Sequence, residues 1–459
     1  MTEVERLAEF ATRASYEMLS EAAQEQLKIR VLDSLGCAIG ALDGPPVRLV
    51  REYVKEFACA GRCRLIGDGC AAPDHAAFYN GALVRYLDYN DSYLAKGETC
   101  HPSDNLSAIL AATEYTKGSG RDLMTALAVA YQVQCRLSDE APVRDKGFDH
   151  TTQGAYAVSA GVSRALGLAA DAAANAIAIS GTAFNALRVT RTGRLSHWKG
   201  LAYPSTAASC VRAAFLARSG LTGPREVLEG HKGFMQVIAG YFAIDWNRED
   251  LDRVTRTILK RHNAEIHAQT AIDAALELRR EHRIDGSDVQ NVEIEIFDVA
   301  FKIIGGGEGD KKIIHTKEEA DHSLPYLIAV ALLDDELTPA QFTPDRIVRS
   351  DVQDLLRRIS VRANDTYSAR FPQSMPCAVS ITLMDGRQYR KEVIGYPGLG
   401  APPLSWDETR EKFERLSAPY ASVDLRSAIA EAVRDLERIQ IMDLTNLLAK
   451  VAAEAPFPC

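Results

Sequence analysis

The chain has 459 residues, 46% apolar and 25% charged, the balance of an ordinary folded protein large enough for two or three cores. A formal charge of −9 excludes a general nucleic-acid or membrane-surface binder, so an anionic ligand would need locally clustered lysines and histidines. No apolar run is long enough to span a bilayer, and the acidic N-terminus lacks the apolar core of a secretion signal, so the expectation is a cytoplasmic protein.

The odd count of nine cysteines, scattered among apolar neighbours, points to buried free thiols rather than a disulfide framework. Cys59, Cys63 and Cys70 come closest to a cluster. Their C-x3-C-x6-C spacing fits no zinc or iron–sulfur pattern, so no metal is expected there.

Residues 1 to about 280 read as mostly helical. Ser20 caps a segment with Leu27, Val31, Leu35 and Ile39 at helical spacing. Further helices are predicted over 47–57, 78–89, 104–116, 122–137, 155–166, 169–180 and 203–219. The 104–116 helix takes Asp104 as its N-cap, and several of the later ones are rich in alanine. Near 286 the pattern changes. Val292, Ile294 and Ile296 alternate with Glu293 and Glu295, as in a half-exposed strand. Val379, Ile381 and Leu383 alternate again before a hairpin turn at Asp385-Gly386. Residues 359–362 form another short strand, with helices over 325–333 and 352–358. Gly395-Tyr396-Pro397-Gly398 reads as a linker, and the tail as helices over 406–416 and 425–446. The expected fold is mainly α: a helical domain from residues 1–279 and 401–459, with an inserted α+β domain over 280–400.

The densest chemistry lies in Arg85-Tyr86-Leu87-Asp88-Tyr89-Asn90-Asp91-Ser92 and His101-Pro102-Ser103-Asp104-Asn105. On a continuing helix, Asp88, Asp91 and Ser92 would share one face. His101 would stand at a helix entrance, where backbone N–H groups can meet an anion. His150 opens a helix, Lys199 closes a cation-rich loop, and Lys260 and His267 precede the change of pattern. The Gly305–Gly309 loop fits neither phosphate-loop pattern, and G-x-S-x-G and H-E-x-x-H are both absent, so nucleotide, triad-hydrolase and zincin chemistry lack support. Histidine and lysine recur at loop–helix junctions of an acidic chain. That pattern suits proton transfer on a substrate with several carboxylates.

Taken as a set, YLDYNDSY, HPSDN, GFDHTTQGAY, LSHWKGLAYPSTA, KRHNAEIHAQTAIDAALEL, IIGGGEGDKK and EADHSLPYLIAVALLDD resemble the MmgE/PrpD family, from about residue 15 to 455. The resemblance implies a helical domain made from both chain ends, an inserted α+β lid and a homodimer. It also implies a cytoplasmic carbon–oxygen lyase that dehydrates a tricarboxylate, 2-methylcitrate above all, without metal or other cofactor. A cis-aconitate-type decarboxylase, another di- or tricarboxylate lyase, or an epimerase of the same family are the alternatives. Carried over by position, the site falls on Asp88, Ser92, His101, His150, Lys199, Lys260, His267 and Tyr326. Ser92 stands where the decarboxylases carry threonine, and an insert from Leu94 to Thr99 lengthens the spacing to His101; both favour a dehydratase. The roles implied are His101 and His150 as base and acid in either order. Asp88 orients a histidine or lysine, and Tyr326 arrives from the lid. Lys199 stabilises developing charge, while Ser92, Lys260 and His267 bind substrate carboxylates.

Overall fold

Ser20 Oγ accepts a hydrogen bond from the backbone of Ala23 and starts the helix Glu21–Ile39, as its sequence predicts. This structure is a computed structural model, and it describes residues 1–57, 61–67 and 69–452; Asp68, Cys59 and Cys459 lie outside the described residues. The chain is mainly helical and divides into two compact units. The first unit holds Met1–Thr190, Gly200–Thr257 and the tail from Ser405; the second holds Arg191–Lys199 and Ile258–Leu404. No helix among the described residues is long and apolar enough to cross a membrane.

In the first unit the alanine-rich helices Gly120–Glu140, Thr151–Ala165 and Ala170–Ala183 pack in sequence order. Their small side chains let the backbones approach closely. A Cβ at Gly154 would lie 2.4 Å from Tyr203 Cε2, so only glycine lets Tyr203 lie against that helix. The tail helix Trp406–Ser417 packs on Glu21–Ile39, where a Cβ at Gly36 would come within 3.1 Å of Phe413 Cα.

The single helix expected over 425–446 is instead Val423–Arg434, a 3-10 turn Leu436–Arg438, and Ile441–Leu448. The break has a backbone cause. Gly120 N donates to the Ile439 carbonyl (2.9 Å) and Ile441 N to the Gly118 carbonyl (3.0 Å). Those groups are therefore spent on a turn distant in sequence rather than on a helix.

The second unit is built on a four-stranded sheet in the order Ile359–Ala363, Val289–Ile296, Cys377–Leu383, Gln388–Val393. The first pair is parallel and the others antiparallel. Val292, Ile294 and Ile296 are buried as their alternation predicts, and Gly386 takes φ 85° in the hairpin turn. Helices Gln269–His282 and Leu324–Asp334 are part of the same unit.

The boundary expected near 280 therefore falls at 258. The strand alternation begins only at Val289, but the helix before it packs on Cys377–Leu383 and Gln388–Val393. The supposed linker is built in as well. Tyr396 is buried, and its hydroxyl oxygen accepts from Arg261 N at 2.7 Å.

Candidate active site

The first unit places Asp88, Ser92, His101 and His150. The helix Pro73–Tyr86 stops early, and Asp88 takes the left-handed conformation (φ 55°). Asp88, Asp91 and Ser92 therefore do not share a helix face, contrary to expectation. Asp88 is held by Arg85, whose Nη1 lies 2.5 Å from Asp88 Oδ1. The same guanidinium has Nε 3.4 Å from Asp104 Oδ2, and Asn90 Nδ2 donates to Asp104 Oδ1 at 2.8 Å. Asp104 is thus not a helix cap. A 3-10 turn, Pro102–Asn105, precedes the helix Leu106–Tyr115.

Asp91 organises the loop. Its Oδ1 accepts from Ser103 N (3.0 Å), its Oδ2 from the Tyr131 hydroxyl (2.8 Å), and its carbonyl faces His101 Nδ1 at 2.7 Å. Ser92 Oγ lies 3.1 Å from the same nitrogen. The apparent insert explains this contact. Tyr93–Leu94 and Thr99–Cys100 pair antiparallel, Tyr93 opposite Cys100, and that hairpin returns His101 to Ser92. Ser92, expected on the substrate, stands on the histidine.

His150 immediately precedes the helix Thr151–Ala165. Its Nδ1 is 3.4 Å from Asp149 Oδ1, and Asp149 is also held by Thr151 N and Oγ1. The His150 ring is 5.4 Å from that of His101, edge to face, and stacks on Tyr203 at 6.0 Å. Tyr203 in turn donates to Asn105 Oδ1 at 3.0 Å. Both imidazoles are nearly buried, and each is oriented through Nδ1 by an oxygen of its own unit. Lys412, from the tail, fixes the loop from behind. Its ammonium is 2.6 Å from Asp33, donates to the Tyr89 carbonyl (2.7 Å), and lies 3.7 Å from the Tyr89 ring centroid.

The second unit places Lys199, Lys260, His267 and Tyr326. Lys199 Nζ is 2.5 Å from Asp321 Oδ1, Lys317 Nζ is 2.7 Å from Oδ2, and His322 Nδ1 is 2.8 Å from Oδ1. Burial opposes the Asp321 charge, yet Lys199, Lys317 and His322 hold its carboxyl well below the usual range. His267 Nδ1 lies 2.7 Å from Glu265 Oε1, and its ring packs beside the stacked pair Phe297 and Phe371, 5.7 Å from each. His267 Nε2 is buried and has no hydrogen-bond partner among the described residues. A buried donor or acceptor left unanswered inside a fixed ring is poised for a ligand oxygen.

Burial would raise the Glu265 carboxyl, but His267, His322 and Lys260 bring it down to about 2. Because the folded value lies below the ordinary carboxyl value of 4.5, its stabilisation is complete above 4.5 and is lost as pH falls through about 2. Urea denaturation followed across that window should show the second unit weakening on acidification, and Glu265→Gln should flatten the slope.

Tyr326 departs from expectation. It is fully buried, burial raises its hydroxyl pKa, and the hydroxyl donates to the Gln341 carbonyl. That hydrogen is already committed inside the unit, so Tyr326 carries no step in the mechanism below.

Arg85, Tyr131, Asp149, Glu265, Asp321 and Lys412 support the site but were not singled out by sequence pattern. Three had a local signal: Asp149, Glu265 and Asp321 each stand within two residues of a candidate or neighbouring histidine. Asp33 and Lys412 come from distant parts of the chain and had none.

The family model of the MmgE/PrpD N-terminal domain matches residues 5–247, and that of the C-terminal domain matches 262–438. The chain belongs to the MmgE/PrpD family. A 2-methylcitrate dehydratase of Cupriavidus necator is 29% identical over 477 residues, covering 96% of this chain and 95% of the relative. A 2-methylcitrate dehydratase of Escherichia coli K12 is 29% identical over 411 residues, 83% of each chain. A cis-aconitate decarboxylase of Mus musculus is 26% identical over 458 residues, 94% of this chain and 90% of the relative. These MmgE/PrpD relatives are lyases. The gap between the two matched MmgE/PrpD segments, after 247 and before 262, contains the 257/258 boundary of the two units.

Proposed function

We propose that this MmgE/PrpD protein is a hydro-lyase that dehydrates a tricarboxylate, 2-methylcitrate before others, by acid–base chemistry. The observation that carries the reading is the His101–His150 pair, 5.4 Å apart and oriented through separate acceptors. A carbonyl oxygen only accepts, so the hydrogen of a neutral His101 ring sits on Nδ1, facing Asp91. Nε2 then holds the lone pair, which makes His101 the base. His150, whose Nδ1 lies 3.4 Å from the Asp149 carboxylate, is then assigned as the acid.

In the step so assigned, His101 Nε2 removes the proton from the carbon beside a substrate carboxylate. The electron pair passes into that carboxylate as an enediolate, then forms the C=C bond as the hydroxyl leaves. His150 supplies the proton that makes the leaving group water. Each transfer by a positioned group contributes roughly 10²–10⁴-fold. Lys199, Lys260 and His267 are assigned to the substrate carboxylates and the developing charge. Ser92 keeps the His101 ring in place, and Asp88 keeps Arg85 against the loop.

The test is a panel of 2-methylcitrate, citrate and cis-aconitate with the purified protein. Rising alkene absorbance from the first two supports dehydration. Carbon dioxide release from cis-aconitate, without alkene formation from the hydroxy acids, would replace it with the decarboxylase reading. Two further outcomes follow. Lys260→Ala should raise KM more than it lowers kcat, because a carboxylate–ammonium contact made equally in ground and transition states is uniform binding. Dialysis against a chelator should leave turnover intact, since the sequence has no recognised metal-ligand spacing; activity that is lost and restored by zinc or iron would end the metal-free reading.

A further inference from the structure

Tyr203 is fully buried beside the histidine pair of the first unit, and both its ring and its hydroxyl are engaged there. The ring stacks on that of His150, 25° from parallel and 6.0 Å away, within the range of a favourable aromatic contact. It also lies on the first turn of the helix Thr151–Ala165. There Gly154 N donates to the His150 carbonyl at 3.0 Å, and a Cβ at Gly154 would fall 2.4 Å from Tyr203 Cε2. The hydroxyl faces Asn105 Oδ1 (3.0 Å) and Gln134 Oε1 (3.1 Å). The direction of these bonds is set from the far end. The Pro102 carbonyl only accepts, so Asn105 turns Nδ2 toward it, at 2.8 Å. The other Nδ2 hydrogen goes to Gln134 Oε1 at 2.7 Å, which leaves Asn105 Oδ1 to accept from Tyr203. Burial, with Asp104 adding to it, pushes the Tyr203 hydroxyl well above its ordinary pKa, so the hydrogen stays on it. Pro102 directly follows His101. One side chain therefore touches one histidine with its ring and reaches the turn of the other through a single amide.

Tyr156 shows what packing alone asks for. It is equally buried and seated on a glycine in the same way, since a Cβ at Gly181 would lie 2.3 Å from Tyr156 Cε1. Yet the Tyr156 hydroxyl has no hydrogen-bond partner among the described residues. Close packing on a glycine thus does not call for the amide network that Tyr203 has. We infer that Tyr203 is a positioning residue for the lyase reaction: its ring sets the plane of His150, and its hydroxyl, through Asn105, ties that ring to the turn that begins at His101. The inference rests on the lyase reading above and deepens it. Two proton-transfer groups must meet one substrate together, and misplacing a reacting group by about 1 Å costs up to ~10²-fold in rate. Tyr203 acts through His150 and not on the substrate, so its loss falls on kcat rather than KM.

The experiment measures kcat and KM with 2-methylcitrate and with citrate in the wild type, Tyr203→Phe, Tyr203→Leu, His150→Ala and the double variant of His150→Ala with Tyr203→Leu. Tyr156→Phe is the control, and circular dichroism and a melting curve check each fold. Tyr203→Phe keeps the stack and loses the bond to Asn105, so kcat should fall severalfold. Tyr203→Leu loses both, and kcat should fall roughly tenfold to 10²-fold, with KM little changed in either variant. Tyr156→Phe should match the wild type in both constants. In the His150→Ala background Tyr203→Leu should cost nothing further, because residues that act as a unit are not additive. A lower melting temperature with kcat intact is the signature of packing alone and would overturn the positioning role. So would a full loss from Tyr203→Leu on top of His150→Ala; either result leaves the lyase reading standing. A wild type that turns over neither hydroxy acid would overturn both. Should Tyr203→Leu fail to fold, Tyr203→Phe, which keeps the ring and its volume, carries the same cycle.

Discussion

Replacing His101 with alanine should lower kcat by roughly 10²-fold or more, the usual scale for a lost proton-transfer group. The expectation follows from how much of the loop is spent on this one ring. Tyr131, Ser103 N and the Asp91 backbone fix the carbonyl that faces Nδ1, and Ser92 Oγ stands on the same nitrogen. Such an arrangement sets the ring angle and the tautomer, and neither matters for packing alone. KM should move little, because substrate carboxylates are assigned to other groups. The companion variant Asp91→Asn tests the orientation. It keeps an acceptor for Ser103 N at Oδ1 but weakens the bond from Tyr131. It should lower kcat less than the loss of His101 does, and shift the pH profile of kcat rather than KM. Circular dichroism must first show that the variants fold, since His101 begins the turn Pro102–Asn105. A folded His101→Ala protein with near-normal kcat would remove the histidine from the mechanism.

The helices were legible because each carries its own signal: a capping serine at Ser20, small residues along the three alanine-rich helices, and a strict alternation at Val292–Ile296. The elements that departed from expectation are those whose backbone partners lie far away in sequence. The tail helix breaks at Ile439 because its backbone bonds to Gly118 and Gly120. The helix Pro73–Tyr86 stops short of the expected Tyr89 because Arg85 draws Asp88, Asn90 and Asp104 around it, a set that spacing along one helix could not reveal. The site shows the same division. The histidines stood out as rare residues at junctions. Their orienting partners are a carbonyl, a serine across a hairpin, and carboxylates of no special type. A sequence pattern names the reacting group more readily than the oxygen that aims it, because any residue supplies a carbonyl.

Replacing Asp321 with alanine should destabilise the protein by roughly 3–5 kcal/mol, the range for removing one partner of a buried ionic cluster. Asp321 is fully buried and is the shared acceptor for Lys199, Lys317 and His322. Without it the buried Lys199 ammonium, the adjacent Lys317 and His322 lose the carboxylate they share, and like charges at close range add to the desolvation penalty. Urea denaturation at neutral pH reads the effect as a lower midpoint. A loss under about 1 kcal/mol would mean that the cluster is screened as a surface pair is. Removing the stranded charge separates stability from function. Lys199→Met added to Asp321→Ala should recover part of the lost midpoint, because one buried ammonium that had relied on Asp321 is gone. The same double variant should remain poorly active, since Lys199 is assigned to the charge that develops on the substrate. Recovery of both together would show that Lys199 serves only the packing of the second unit.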